Sequence, residues 1–348
     1  IRAEAADSGV TFVYEKRRQK NAVYNVYAGE DIKTALGVII YKKGALVKEG
    51  LATGDDGSAT LSDLRLGTYT ITEVKAPENF VNTGESKTVT LSYAGQTVKT
   101  VFADTSFSNE RQKARLTVTK QDKDTKNPLT GGIYGLYAGI DITNADGKVV
   151  VKKDALVGKA TTGADGTATF QQDLPIGFSW YVKELQAPTN YFRNSQDTYS
   201  FDFQYTNDKE AVVGFAYTFL NERVDATIHL VKKDKETGDT PQGDAVFVGA
   251  VYGLYAREDI VHPDGKTGVL FKAGTQVATL RTDAVGNAEV KGLYLGKYYV
   301  KEITPPTGYL IDEEEHDLEC SYEGDRVKTV ERTTESHEHV RKEPVQLI

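Results

Sequence analysis

Three stretches decide how this chain folds: YTITEVKAPENF (Tyr69–Phe80), WYVKELQAPTNY (Trp180–Tyr191) and YYVKEITPPTGY (Tyr298–Tyr309). Each reads as a strand in which Tyr, Val and Ile alternate with Thr and Lys, followed by a Pro turn and a closing aromatic. Successive side chains of a strand point to opposite faces, so Tyr69, Ile71 and Glu73 share one face. Val182 and Glu184 do the same, as do Val300 and Glu302. A carboxylate on an apolar face is costly unless it is neutral or paired. The anomaly recurs 111 and 118 residues apart, which is the spacing of a domain.

Around each stretch the chain repeats itself. VYNVYAGEDI (Val23–Ile32), IYGLYAGIDI (Ile133–Ile142) and VYGLYAREDI (Val251–Ile260) each precede a Lys-containing segment and a tight turn. The turns are GDDGSATL (Gly54–Leu61), GADGTATF (Gly163–Phe170) and DAVGNAEV (Asp283–Val290). Short strands with turn signals at this density predict an all-β chain of three tandem Ig-like β-sandwiches. Boundaries fall near 112 and 224, giving domains 1–112, 113–224 and 225–342. Residues 343–348 then read as a linker or the start of a further first strand, PVQLI. The Asp-Gly turns lack the alternating oxygen ligands of a calcium loop and read as hairpins.

Composition agrees with this class. A length of 348 residues suits two or three domains, and 20 Tyr with 32 Gly and no Met suits strands. A net charge of −8 offers no basic footprint for nucleic acid or anionic lipid. No apolar run is long enough for a transmembrane helix, and no signal peptide is present. Beginning at Ile1, the chain reads as a mature piece of a larger protein. The lone Cys320 excludes an internal disulfide framework and reads as a small buried hydrophobe beside Leu318 and Tyr322.

Each unit is expected to open with a first strand whose inner face ends on a lysine. In RLTVTKQDKDT (Arg115–Thr125) Leu116, Val118 and Lys120 share a face; in TIHLVKKDKET (Thr227–Thr237) Ile228, Leu230 and Lys232 do. In VTFVYEKRRQK (Val10–Lys20) the pattern selects Phe12, Tyr14 and Lys16, with Lys20 the alternative nucleophile. The first two units close on Asn-Glu-Arg, at Asn109 and Asn221; in the third, Glu338 aligns with that asparagine. A lysine whose amine is kept neutral by burial is a nucleophile. A buried, protonated glutamate can polarise an asparagine carbonyl and move protons. Together they suit amide exchange, with Glu73 and Glu184 as acids, Lys16–Asn109 and Lys120–Asn221 as the bonded pairs, and two ammonias lost. The third site, Lys232, Glu302 and Glu338, is expected to be degenerate, with a Lys232–Glu302 salt bridge and no cross-link.

The first-strand lysine, the Y-x-x-x-E-x-x-A-P run and the terminal Asn-Glu resemble the collagen-adhesin B-type (SpaA-like) domains of Gram-positive surface proteins and pilins. Tyr69–Pro77 matches that run most fully; Trp180–Pro188 keeps Glu and Ala-Pro; Tyr298–Pro306 departs with Thr-Pro-Pro. The resemblance covers nearly the whole chain. It implies prealbumin-like sandwiches, self-generated isopeptide bonds and a cell-wall-anchored extracellular stalk, pilus or adhesin. LPIGF (Leu174–Phe178) is an interior strand entry, not a sorting signal, and no pilin-type lysine motif is evident.

Three readings compete. A structural stalk has neighbouring domains of its own protein as partners. A ligand-binding adhesin would present aromatics such as Phe80, Tyr191, Phe192 or Tyr309 to a host matrix protein or glycan. An enzyme acting on an outside substrate has no support, because no nucleophile elbow, HExxH, P-loop or dinucleotide fingerprint occurs. His316, His337 and His339 fix no third metal ligand, so no metal and no cofactor is expected.

Overall fold

A computed structural model describes residues 1–7 and 9–347; Ile348, the last residue of PVQLI, lies outside them. The chain is all-β, in three tandem domains, of which the second and third are complete two-sheet sandwiches. Each glutamate stretch is an inner strand of a four-stranded antiparallel sheet. In domain 2 the order is Leu156–Thr161, Ile133–Ala138, Phe178–Gln186, Thr198–Phe203. Domain 1 repeats it with Leu46–Ala52, Val23–Ala28, Gly67–Lys75 and Ser86–Leu91. Domain 3 repeats it with Gln276–Arg281, Val251–Ala256, Gly296–Thr304 and His316–Cys320. The inner faces alternate as a half-buried strand requires: Trp180, Val182 and Glu184 are buried, as are Tyr298, Val300 and Glu302. Cys320 is buried in the third core, where burial pushes its thiol up to about 11.

The facing sheet has three strands in domains 2 and 3. Its middle strand is the first strand of the domain, Lys113–Asp122 or Asp225–Asp234. On one side it pairs antiparallel with the strand after the turn; on the other it pairs parallel with the closing strand, Val212–Asn221 or Thr329–Glu338. The register sets Asp122 opposite Asn221 and Asp234 opposite Glu338, so Glu338 takes the asparagine's place.

Domain 1 departs from this plan. Among the described residues it has no second sheet of this kind. The segment expected to be its first strand contributes Gly9–Val13, which pairs with Arg2–Ala6 in a hairpin and packs on domain 2. Phe12 meets Trp180 edge-to-face at 5.9 Å inside the second core. A Cβ on Gly9, whose φ is 143°, would fall 2.1 Å from the Val157 carbonyl oxygen, so the hairpin lies hard against strand 156–161. Tyr14 donates to the Asp173 carbonyl at 2.7 Å, under the Arg111 guanidinium at 3.4 Å.

The reason is a length constraint. Thr53 Oγ1 donates to the carbonyl of Gln19, as Thr162 does to Leu129 and Thr282 to Phe247. Lys120 precedes its anchor by nine residues and Lys232 by fifteen, but Lys16 precedes Gln19 by three. Three residues cannot leave a central strand and cross to the opposite sheet.

The Ala-Pro turns serve the junctions. Ala76 donates its N–H to Asp208 Oδ2 at 3.2 Å, and Ala187 to Asp325 Oδ2 at 3.0 Å. The same aspartates accept at their carbonyls from Asn82 and Arg193. Pro305 stands at that position in the third stretch and has no N–H to give.

Candidate functional site

In domain 2 the sheets bring three distant residues together inside the sandwich. Lys120 is on the middle strand of one sheet, Asn221 at the end of its parallel neighbour, and Glu184 on the facing sheet. Lys120 Nζ lies 3.0 Å from Glu184 Oε1 and also donates to Asn221 Oδ1. Asn221 Nδ2 donates to Glu184 Oε1 and Oε2 at 3.0 and 3.2 Å. Lys120 is 0 % exposed and Asn221 1 %, so no solvent screens the group. Burial holds the Lys120 amine below the ordinary lysine range, against the opposing pull of Glu184. The main-chain N–H of Asn194 completes the shell of Glu184 at 3.2 Å.

Domain 3 has the same framework with a different acceptor. Lys232 Nζ lies 3.3 Å from Glu302 Oε1 and contacts Glu338 Oε2. Tyr252 donates to Glu338 Oε1 at 2.5 Å, and Asp312 N–H to Glu302 Oε2 at 2.7 Å. Burial lowers the Lys232 amine and raises the Glu302 carboxyl. One buried amine thus faces two buried carboxyl groups.

In domain 1 only two of the three meet. Asn109 Nδ2 donates to Glu73 Oε2 at 2.7 Å, and burial raises the Glu73 carboxyl. Glu73 Oε1 is buried with no hydrogen-bond partner. The structure does not bring Lys16 or Lys20 to this pair: both are exposed, and Lys20 pairs with Asp55 at 3.0 Å. The face pattern that selected Lys16 belongs to the hairpin packed on domain 2.

Two further parts of the site escaped the sequence reading. Tyr24, Tyr134 and Tyr252, from the VYNVYA, IYGLYA and VYGLYA repeats, stand directly across the ladder from Glu73, Glu184 and Glu302. The closing aromatics Tyr191 and Tyr309 donate to Asp122 and Asp234, two residues beyond each lysine, at 2.7 and 3.0 Å. The recurring K-x-D spacing was the available signal. Tyr191 and Tyr309 are buried, and Phe192 packs on the third core, so these three are not free binding aromatics.

Asp312, Glu314 and His316 bring three possible metal donors within 4.8 Å of one another. His316 Nε2 and the Ser336 hydroxyl already bond Asp312 Oδ2, at 2.8 and 2.9 Å, so these atoms satisfy one another. Among the described residues no helix is long and apolar enough to cross a membrane.

Comparison with known proteins identifies the family of the fold. The family model described as SpaA, prealbumin-like fold domain, matches three times, over residues 9–106, 114–215 and 226–334. The Bacillus anthracis TIE protein is similar in structure, with a TM-score of 0.55 and 24% identity over 92% of this chain. The chain spans about half of that protein's length, 48%. The Bacillus cereus major pilin BcpA aligns over 91% of this chain and 94% of its own, at 15% identity and a TM-score of 0.32. The minor pilin GBS52 of Streptococcus agalactiae aligns over 68% of this chain and 99% of its own, at 19% identity and a TM-score of 0.25. No curated protein matches. With its three matches covering most of its length, the chain belongs to the SpaA prealbumin-like fold domain family.

Proposed function

We propose that this chain is a load-bearing stalk segment of a Gram-positive cell-wall-anchored surface protein or pilin. In this reading domains 1–112, 113–224 and 225–342 project other parts of the protein outward from the cell surface. The observation that carries it is the buried Lys120–Glu184–Asn221 group. Neutral Lys120 Nζ attacks Asn221 Cγ, an Nζ–Cγ amide bond forms, and the Cγ–Nδ2 bond breaks. Glu184 contacts the leaving nitrogen, so it passes to Nδ2 the proton that Nζ gives up, and ammonia departs. The step occurs once per molecule and turns over no outside substrate, so the chain is not an enzyme.

The parallel pairing of first and closing strands gives the bond a mechanical use. Pulling on the two ends of domain 2 shears those strands past each other, and a Lys120–Asn221 bond passes the load directly between them. Adhesin activity toward a matrix protein or glycan is the second reading. The burial of Tyr191 and Tyr309 removes two of its candidate contacts.

Intact mass and peptide mapping test the proposal. The chain is expected to lack one ammonia, about 17 Da, mapped to Lys120–Asn221. Because Lys16 stands apart from Glu73, one ammonia replaces the two expected from sequence. A full-mass chain, or a deficit unchanged in Glu184→Ala, would overturn it.

A further inference from the structure

Domain 3 carries a buried centre that the stalk reading leaves unused. The parallel ladder that sets Asp122 opposite Asn221 sets Asp234 opposite Glu338, so a carboxyl arrives where domain 2 has an amide. Read from the sequence, that exchange ends the chemistry and leaves a Lys232–Glu302 salt bridge. The surroundings of the pair point to a different end.

Lys232 Nζ contacts Glu338 Oε2 directly and lies 3.3 Å from Glu302 Oε1. The main-chain N–H of Asp312 holds the other oxygen of Glu302 at 2.7 Å, leaving Oε1 for the amine. Tyr252 donates to Glu338 Oε1 at 2.5 Å, and its own oxygen is 3.4 Å from Lys232 Nζ. Lys232 is 1% exposed, Glu338 2% and Glu302 3%, so the group is closed to solvent. In domain 2 the corresponding Tyr134 hydroxyl is buried without a hydrogen-bond partner. The tyrosine is engaged where the acceptor is a carboxyl and idle where it is an amide. A carboxylate resists attack because its charge repels an incoming electron pair. A donor fixed on one oxygen draws that charge away from the carbon.

Water normally opposes joining an ammonium to a carboxylate, because both ions are well solvated and the amide is less so. Inside this site neither ion has that solvation, and charge on both carboxyl groups would outweigh the one amine. Burial lowers the Lys232 amine and raises the Glu302 carboxyl, each toward its neutral form. An amide would remove one cation and one anion from the interior together.

We infer that domain 3 seals itself with a Lys232–Glu338 amide bond formed by loss of water. Resting on the Lys–Asn reading above, the step keeps a buried amine as nucleophile but changes the acceptor and the leaving group. Nζ attacks Cδ of Glu338 and the Nζ–Cδ bond forms, while Tyr252 stabilises the charge developing on Oε1. The Cδ–Oε2 bond breaks. Oε2 departs as water with two protons from the ammonium, relayed by Glu302, which ends the step as it began. An ammonium and a carboxylate together hold the atoms of one amide and one water, so no co-reactant is needed.

Intact mass and peptide mapping of the 348-residue chain test the bond. A loss of about 18 Da is expected in a branched peptide joining Lys232 and Glu338, beside the loss of about 17 Da at Lys120–Asn221. Glu338→Gln places an amide at the same point, so the branched peptide is expected to persist with ammonia lost in place of water. Tyr252→Phe keeps the ring and removes the donor. In freshly translated chain its water loss is expected to be about a hundredfold slower, with the ammonia loss at Lys120 unchanged. Separate, full-mass peptides carrying Lys232 and Glu338 in the unmodified chain would overturn the inference. An unchanged rate in Tyr252→Phe would overturn the tyrosine's part in it. The ammonia lost within domain 2 of the same molecules reports separately on the Lys120–Asn221 reading. Its presence without the water loss sinks the domain 3 bond alone.

Discussion

Stretching the chain from its two ends tests the mechanical reading most directly. A Lys120–Asn221 bond takes the residues between those two positions out of the load path. They number about 100, and at roughly 3.4 Å per extended residue they store about 340 Å of hidden length. In single-molecule force spectroscopy the unmodified chain is expected to withhold that length. The first strand ahead of Lys120 could peel by only about 30 Å, the length of its eight residues. Glu184→Ala removes the group that handles the leaving proton, so Lys120 and Asn221 remain unbonded and domain 2 unfolds fully. The variant is therefore expected to show one additional unfolding event of about 340 Å, with domains 1 and 3 unchanged. An equal number of long events in both proteins would refute the argument, because the bond would then not lie between the loaded strands. Heating offers a parallel readout. A cross-link closing a loop of about 100 residues stabilises by roughly 4–5 kcal/mol in the chain-entropy account, which Glu184→Ala forfeits.

Three more outcomes follow from particular contacts. Phe12→Ala is expected to destabilise domain 2, not domain 1, by about 3–5 kcal/mol, since it empties a site against Trp180. Trp180 is the one tryptophan of the chain, so its fluorescence during denaturation reads this directly; an unchanged midpoint would show the hairpin to be undocked. The Glu73 carboxyl is raised by burial, so its folded form holds the proton more tightly than the unfolded chain does. That contribution is complete below the ordinary carboxylate range and is lost as pH rises through the folded value. Glu73→Gln is expected to flatten this part of the pH–stability profile of domain 1; an unaltered profile would assign the dependence elsewhere. Asp208→Ala and Asp325→Ala remove the carboxylates that accept from Ala76 and Ala187, and are expected to widen the interdomain distance distribution in solution scattering while the mass deficit stays. An unchanged distribution would locate the stiffness of the junctions in other contacts.

Periodicity carried the local structure well, because the side chains of a strand report its faces whatever lies across from it. Tyr69 to Glu73, Trp180 to Glu184 and Tyr298 to Glu302 read as half-buried strands from alternation alone. The lysine of domain 2 was legible for the same reason: Leu116, Val118 and Lys120 share a face, and that face enters its own core. Phe12, Tyr14 and Lys16 show the same alternation, but alternation does not say which core receives a strand. That choice depends on chain length to the Gln19 anchor and on the space beside Trp180, both properties of the assembled sandwiches.

The acceptor positions divide in the same way. Sequence alone established three repeated β units, three glutamates on apolar faces, and the change from asparagine to Glu338 in the third. It also established the Ala-Pro turns, though not that their N–H groups hold the next domain through Asp208 and Asp325. Tertiary structure decided which amines meet which acceptors. Lys120 reaches Asn221 and Lys232 reaches Glu338 because a parallel ladder sets their register, whereas Glu73 meets Asn109 while Lys16 and Lys20 stay exposed. The physical reason is that a strand's own pattern encodes burial, while its neighbour across a sandwich is set by contacts between residues about a hundred positions apart.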